Sequence, residues 1–336
     1  MSKKTGIFEV ADSLDLQLVK SSLNKQQTVA SVIDSGKSFP ERREIVPSLY
    51  LIIKQMRMSG KRERTIYDYE RYILDYQRKT GQRYLDEITV SSIYQWIELM
   101  GDVKNSTKRI RLKSFKAVMG RFYQNGWVES EFWKQVDIKV DKTVKKPVSE
   151  NDVMSLLSVL DFSRFTELRD ATAILLMYKT GIRLATMSNL KEEHVDLQNK
   201  MLVLSGDIMK NHQTLKLPLN DELCILLDAL MKHNASIRKY KKEFNSYIFI
   251  TSNGLCVQRT MTNNVIQKRL KIYSKQYGLE NLSSHGLRRG FAVNLLKQDA
   301  PLPLISKALH HSDLAVTSVY LNLDENQVAE DLKKYL

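Results

Sequence analysis

The sequence carries Arg183, Lys210, His285, Arg288, His310, His311 and Tyr320, residue types that in this order suit the transfer of a phosphodiester. His285 and Arg288 stand three residues apart at a predicted helix start that Ser283 or Ser284 can cap, so their side chains share one face and converge on one ligand. His310 and His311 close the next predicted helix, and Tyr320 follows nine residues after His311. A phosphodiester on its way to a pentacovalent state gathers negative charge on its non-bridging oxygens, and guanidinium forks such as those of Arg183 and Arg288 match that charge and shape. A tyrosine hydroxyl must lose a proton to attack, the leaving 5′ oxygen must gain one, and His and Lys are the usual carriers. Each residue also has a plain structural reading: a core histidine, Arg183 paired with Glu192 or Asp196, Lys210 solvated in a turn, Tyr320 a core aromatic. The set is more specific than any of its members.

Ser149-Glu150-Asn151-Asp152 has capping-box spacing ahead of Val153, Leu156, Leu157 and Leu160, which predicts a helix start. The run Ala171 to Tyr178 is apolar nearly all round and predicts a central core helix, capped at its C-terminus by Gly181, with Arg183 emerging directly after the cap. Met201–Leu204 and Thr214–Leu219 alternate as strands do, so Lys210 is expected in the turn of a hairpin. A helix from 222 to about 233 and a strand at Tyr247–Ile250 are expected to follow.

Upstream, Val46, Leu49, Ile53 and Met56 predict one helix and Ile66, Tyr69, Ile73 and Tyr76 a second. Trp96, Ile97 and Met100 predict a third after Thr89, and Ile110, Phe115, Val118, Met119 and Phe122 a fourth. Lys104, Lys108, Arg109, Arg111, Lys113 and Lys116 make that stretch basic, as a DNA-facing helix or as a solvated one. The boundaries drawn are an N-terminal extension at 1–43, a helical domain at 44–138, and a basic linker at 139–148 that carries Lys142, Lys145 and Lys146. A second, chemistry-bearing domain at 149–323 and a tail at 324–336 complete the chain.

With 336 residues the chain has room for two cores, and 43% hydrophobic against 27% charged residues is the balance of a folded protein. Lys and Arg number 52 against 38 acids, a net charge of +14, which attracts a polyanion, nucleic acid first. Cys224 and Cys256 lack metal-ligand spacing and read as reduced core residues, so no metal site is expected. No apolar run approaches the roughly 20 residues that span a bilayer, and with no secretory signal the expected location is the cytoplasm.

In order and local context these residues resemble the tyrosine recombinase (phage integrase) family. The matching pieces are TGIR with Arg183, IMKNHQTLKLPL with Lys210, HGLRRGFAVNLL with His285 and Arg288, LHHSD with His311, and TSVYLN with Tyr320. The resemblance implies a mainly α fold with a small β-sheet, in which a helical core-binding domain precedes a mixed α/β catalytic domain. It implies a site-specific recombinase that cuts and rejoins double-stranded DNA through a 3′-phosphotyrosyl link, in integration, excision or resolution. Arg183, Lys210, His285, Arg288 and His311 would surround the scissile phosphate, and Tyr320 would be the nucleophile. It further implies a homo-tetramer on two DNA sites, accessory DNA-bending or directionality proteins, and no cofactor. Two positions depart from the family: Thr186 stands where an acidic residue usually supports the first arginine, and His310 where the LGH box has glycine. The rival expectation is a DNA-binding transcriptional regulator on the same fold.

Overall fold

A computed structural model describes residues 42–140, 146–205, 214–260 and 263–309, and the chain divides into two units at Val140 and Asp141. The described part of the first unit is helical, with α1 at Ile45–Met58, α2 at Glu63–Thr80, α3 at Val90–Glu98 and α4 at Asn105–Gln124. Ile45, Leu49, Ile52, Ile53 and Met56 recur at helical spacing on α1, and all are buried. Thr89 starts α3 by a reciprocal cap: its Oγ1 accepts from Ser92 N at 3.1 Å while Ser92 Oγ accepts from Thr89 N at 2.9 Å. The rings of Tyr76, Trp96 and Phe115 meet at the centre, with centroids 4.8 to 5.8 Å apart. Ile110, expected on the apolar face of α4, is 62% exposed. At about 100° per residue it falls on the side opposite Leu112, Phe115, Met119 and Phe122, which make the actual core face.

In the second unit α5 spans Glu150–Val159, α6 Phe165–Thr180, α7 Leu184–Ser188 and α8 Asp221–Lys241. Further along, α9 spans Val265–Gln276, α10 Ser284–Lys297 and α11 Leu302–Ala308. A three-stranded antiparallel sheet is ordered β1 (Val195–Asp196), β2 (Met201–Leu204) and β3 (Leu215–Pro218), with Leu204 opposite Leu215. A separate pair joins β4 (Gln258–Thr260) to β5 (Asn263–Asn264). The expected capping box opens α5, Ser149 Oγ accepting from Asp152 N at 3.0 Å. As its all-round apolar character requires, α6 is buried from Leu168 to Tyr178 and packs against α8 and α10. It also carries a buried charge cluster. Asp170 accepts from Arg169 Nη2 at 2.6 Å, Arg269 Nε at 2.6 Å and Tyr273 Oη at 2.9 Å, tying α6 to α9.

The structure revises several expectations. Ile248, Phe249 and Ile250 are buried, but the segment Tyr247–Ile250 pairs only through isolated bridges, Lys191 to Tyr247 and Ile250 to Cys256. Side chains take its carbonyls instead: Arg238 that of Tyr247, Asn234 that of Ile248 at 2.7 Å, and Arg169 that of Ile250 at 3.1 Å. Helix α8 runs to Lys241 rather than ending near 233, because its inward face continues past Leu230 with the buried polar residues Asn234 and Arg238. Val148, read as the end of the linker, is buried in the second core, and its N donates to Gly286 O at 3.2 Å. Cys224 and Cys256 are free thiols but only half-buried.

Gly181 closes α6 in the left-handed region at φ 64°. A Cβ there would lie 2.8 Å from Phe291 Cε1 and 3.0 Å from Leu309 Cδ2. Gly181→Ala therefore combines backbone strain with overpacking, and is expected to destabilise the second unit by about 3 kcal/mol. The urea transition followed by circular dichroism checks this, since Trp96, Trp127 and Trp133 all belong to the first unit.

Candidate active site

Chain geometry after α6 sets the first arginine. Gly181 turns the backbone, Ile182 is buried, and Arg183 occupies the N-cap position of α7 with extended backbone at φ −72° and ψ 144°. The second pair stands on α10, where Ser283 Oγ accepts from Gly286 N at 3.0 Å and starts the helix. His285 and Arg288 lie one turn apart on it, His285 exposed and Arg288 only 3% exposed. Arg183, His285 and Arg288 line one cleft of about 400 Å³, together with Asn189, Gln258, Asn264 and Gln267. Arg288 donates through Nη1 to Gly181 O and through Nη2 to Leu309 O. It thereby joins the cap that leads to Arg183, its own helix, and the residue two before His311.

The other face of the same helix explains its glycines. A Cβ on Gly290 would lie 2.6 Å from Val148 O and 2.7 Å from Tyr178 Cε2, and one on Gly286 would lie 2.9 Å from Val148 Cγ2. Backbone and ring pass that close only because both positions lack a side chain. The plain pairings weighed for Arg183 are otherwise engaged: Glu192 accepts from Arg238 at 2.5 Å, and Asp196 accepts from Asn199 N at 2.9 Å. Thr186 is buried and borders, with Arg183, Arg288 and Leu309, a void of about 10 Å³. The amides Asn189, Gln258, Asn264 and Gln267 were not anticipated, since isolated Asn and Gln carry no spacing signal. Lys210, His310, His311 and Tyr320 lie outside the described residues, as do Lys142 and Lys145. Lys146 is described and exposed just ahead of α5. Among the described residues no cluster of three or more His, Cys, Asp or Glu could hold a metal ion.

In the first unit the basic residues of α4 do not form one stripe. At about 100° per residue, Lys104, Lys108 and Arg111 fall on one strip and Arg109, Lys113 and Lys116 on another. Lys104 and Lys113 are exposed. Lys116 Nζ donates to Lys134 O at 3.2 Å, and burial holds its pKa below the usual lysine value. Arg111 lies 5.9 Å over the Tyr72 ring and, with Arg71 and Arg78 of α2, lines a cleft of about 690 Å³. Arg71 and Arg78 were missed because they are interleaved with acids along α2, whereas the α4 run stood out by having none.

The profile of the phage integrase family matches residues 146–327. The chain belongs to the phage integrase family. Its relatives include the tyrosine recombinase XerA of Pyrococcus horikoshii, 24% identical over 88% of this chain and 96% of that protein. Another is the tyrosine recombinase XerC of Alcanivorax borkumensis, 26% identical over 79% of this chain and 85% of that protein. Among solved structures, the Tn1549 transposon integrase in complex with a circular intermediate DNA aligns at TM-score 0.68 with 16% identity, covering 85% of this chain and 99% of that one. A lambda integrase dimer bound to a COC′ core site aligns at 0.64 with 13% identity, covering 93% and 86%. The family, the mainly α fold with its small sheet, and the enzyme class expected from the sequence are borne out: this is a tyrosine-type site-specific recombinase. No described helix is long and apolar enough to cross a membrane.

A cleft built around two guanidinium groups should hold an oxyanion without DNA. At constant ionic strength, inorganic phosphate at tens of millimolar is expected to raise the melting temperature of the second unit by roughly 1–3 °C through selective binding to the folded state. Arg183→Gln or Arg288→Gln should abolish the rise in a thermal melt.

Proposed function

We propose that this recombinase cleaves and rejoins double-stranded DNA with Tyr320 as nucleophile and with Arg183, Lys210, His285, Arg288 and His311 around the scissile phosphate. The supporting observation is that Arg183, His285 and Arg288 share one cleft, with Arg288 bonded to the carbonyl two residues ahead of His311. The Tyr320 oxygen attacks phosphorus as its proton leaves with help from His285, forming a 3′-phosphotyrosyl bond. The bond from phosphorus to the 5′ oxygen breaks, and Lys210 protonates that oxygen. Arg183, Arg288 and His311 stabilise the negative charge that grows on the non-bridging oxygens. Because the new phosphodiester keeps the bond energy of the old one, a 5′ hydroxyl from a partner strand can reverse the step without nucleotide hydrolysis. DNA is the macromolecular partner, as the net charge of +14 favours. In this reading the helical unit at 44–138 and the catalytic unit at 149–323 both contact the duplex. Four protomers act on two sites, accessory DNA-bending or directionality proteins set the outcome, and the tail at 324–336 docks in cis or on a neighbour. Lys104, Lys108, Arg109, Lys113, Lys142, Lys145 and Lys146 are backbone contacts, and Arg111 acts with Arg71 and Arg78.

A site selected by binding from a random DNA pool, then nicked beside the cleavage point, traps the intermediate. The wild type is expected to form an adduct that survives denaturation. Tyr320→Phe should bind within about 2-fold of wild type, as removing one hydroxyl costs little ground-state affinity, and should form no adduct. Tight binding by the wild type with no adduct would favour the regulator and overturn this reading. Separately, Arg71→Gln, Arg78→Gln and Arg111→Gln should each flatten the plot of log affinity against log salt by about 0.9, one released counterion per phosphate contact.

A further inference from the structure

We infer that Asn264 is a positioning residue for Arg183, acting through Ser188 at the far end of α7; the inference rests on the recombinase reading of this cleft. Helix α7 spans only Leu184–Ser188, too short to fix its own orientation. Arg183 forms its N-cap with no side-chain capping bond. The backbone position from which the Arg183 side chain starts is therefore set by what anchors the helix. At its end, Asn264 Nδ2 donates to Ser188 Oγ at 2.7 Å, and Cys256 Sγ donates to Ser188 O at 3.3 Å. Ser188 Oγ spends its single proton on Leu184 O at 2.7 Å, so it can only accept from Asn264.

Asn264 is 4% exposed, and its amide is fully engaged. Its second Nδ2 proton goes to Gln258 Oε1 at 2.7 Å, and its Oδ1 accepts from Gln267 N at 3.0 Å, which caps α9. One side chain thus joins α7, β4 and the start of α9. It also lines the same cleft as Arg183, His285 and Arg288. Contacts to non-bridging oxygens are worth most in the transition state, and a displacement of about 1 Å there costs roughly 100-fold in rate while leaving ground-state binding nearly intact.

Two variants separate clamping from capping. Asn264→Asp keeps an acceptor for Gln267 N but has no proton for Ser188 Oγ; Ser188→Ala removes the partner and leaves Asn264 in place. On the nicked substrate described above, each is expected to bind DNA within about 3-fold of wild type. Adduct formation in a single turnover should be about 10- to 100-fold slower. Because both act through Arg183, the double variant should be no slower than the worse single one, and adding Ser188→Ala to Arg183→Lys should cost little more. A folded Asn264→Asp and Ser188→Ala that cleave like wild type would overturn the inference. So would losses that follow DNA affinity or folded fraction, read by circular dichroism, or losses that multiply with Arg183→Lys. Those results leave the recombinase reading standing, whereas a wild type that forms no adduct overturns both.

Discussion

A guanidinium buried to 3% exposure decides how the catalytic unit is put together. Removing such a charge from water costs several kcal/mol if nothing replaces the solvent, a large share of the 5–15 kcal/mol that holds a domain folded. Arg288 meets that demand by donating to the carbonyls of Gly181 and Leu309. Those carbonyls belong to the end of α6 and the end of α11, which are far apart in sequence. Satisfying one side chain therefore fixes three segments together. These two partners are also neutral. They orient the fork without cancelling its charge.

Asp170 shows the opposite use of buried charge. There Arg169 and Arg269 meet a carboxylate, with the Tyr273 hydroxyl as a third donor. Burial and the adjacent carboxylate push the Tyr273 pKa up, so it stays a donor at neutral pH. Ion pairing makes that cluster a brace between α6 and α9. The bonds of Arg288 to Gly181 and Leu309 use backbone dipoles instead.

How much of this was legible follows from which physics a residue obeys. The core of α6 was readable because apolar residues surround it, and the α5 start because a capping box is a local pattern. The Gly181 cap and the positions of His285 and Arg288 on one helix followed from spacing alone. The second half of α8 was hidden because Asn234 and Arg238 continue its inward face in polar letters, each paid for by a carbonyl of the 247–250 segment. The same trade removed the expected strand there, since carbonyls taken by side chains do not build a ladder. The amide lining of the cleft was invisible for a related reason: hydrogen-bond partners remote in sequence leave no periodicity behind.

The helix that carries His285 and Arg288 makes two demands of one short sequence. Its outward face must present the imidazole at the rim and the guanidinium below it, and spacing of three achieves that. Its inward face must let the Val148 carbonyl and the Tyr178 ring approach within 2.6 and 2.7 Å of where a Cβ would be on Gly290. Glycine in a helix interior costs roughly 1 kcal/mol relative to alanine, so two of them are tolerated only where close approach returns more than that. The return here is the packing of α10 onto α6 and the 146–149 segment. Pushed outward by even one methyl group, α10 would carry Arg288 away from the Gly181 carbonyl, and the cleft would lose its floor before any reacting residue had changed.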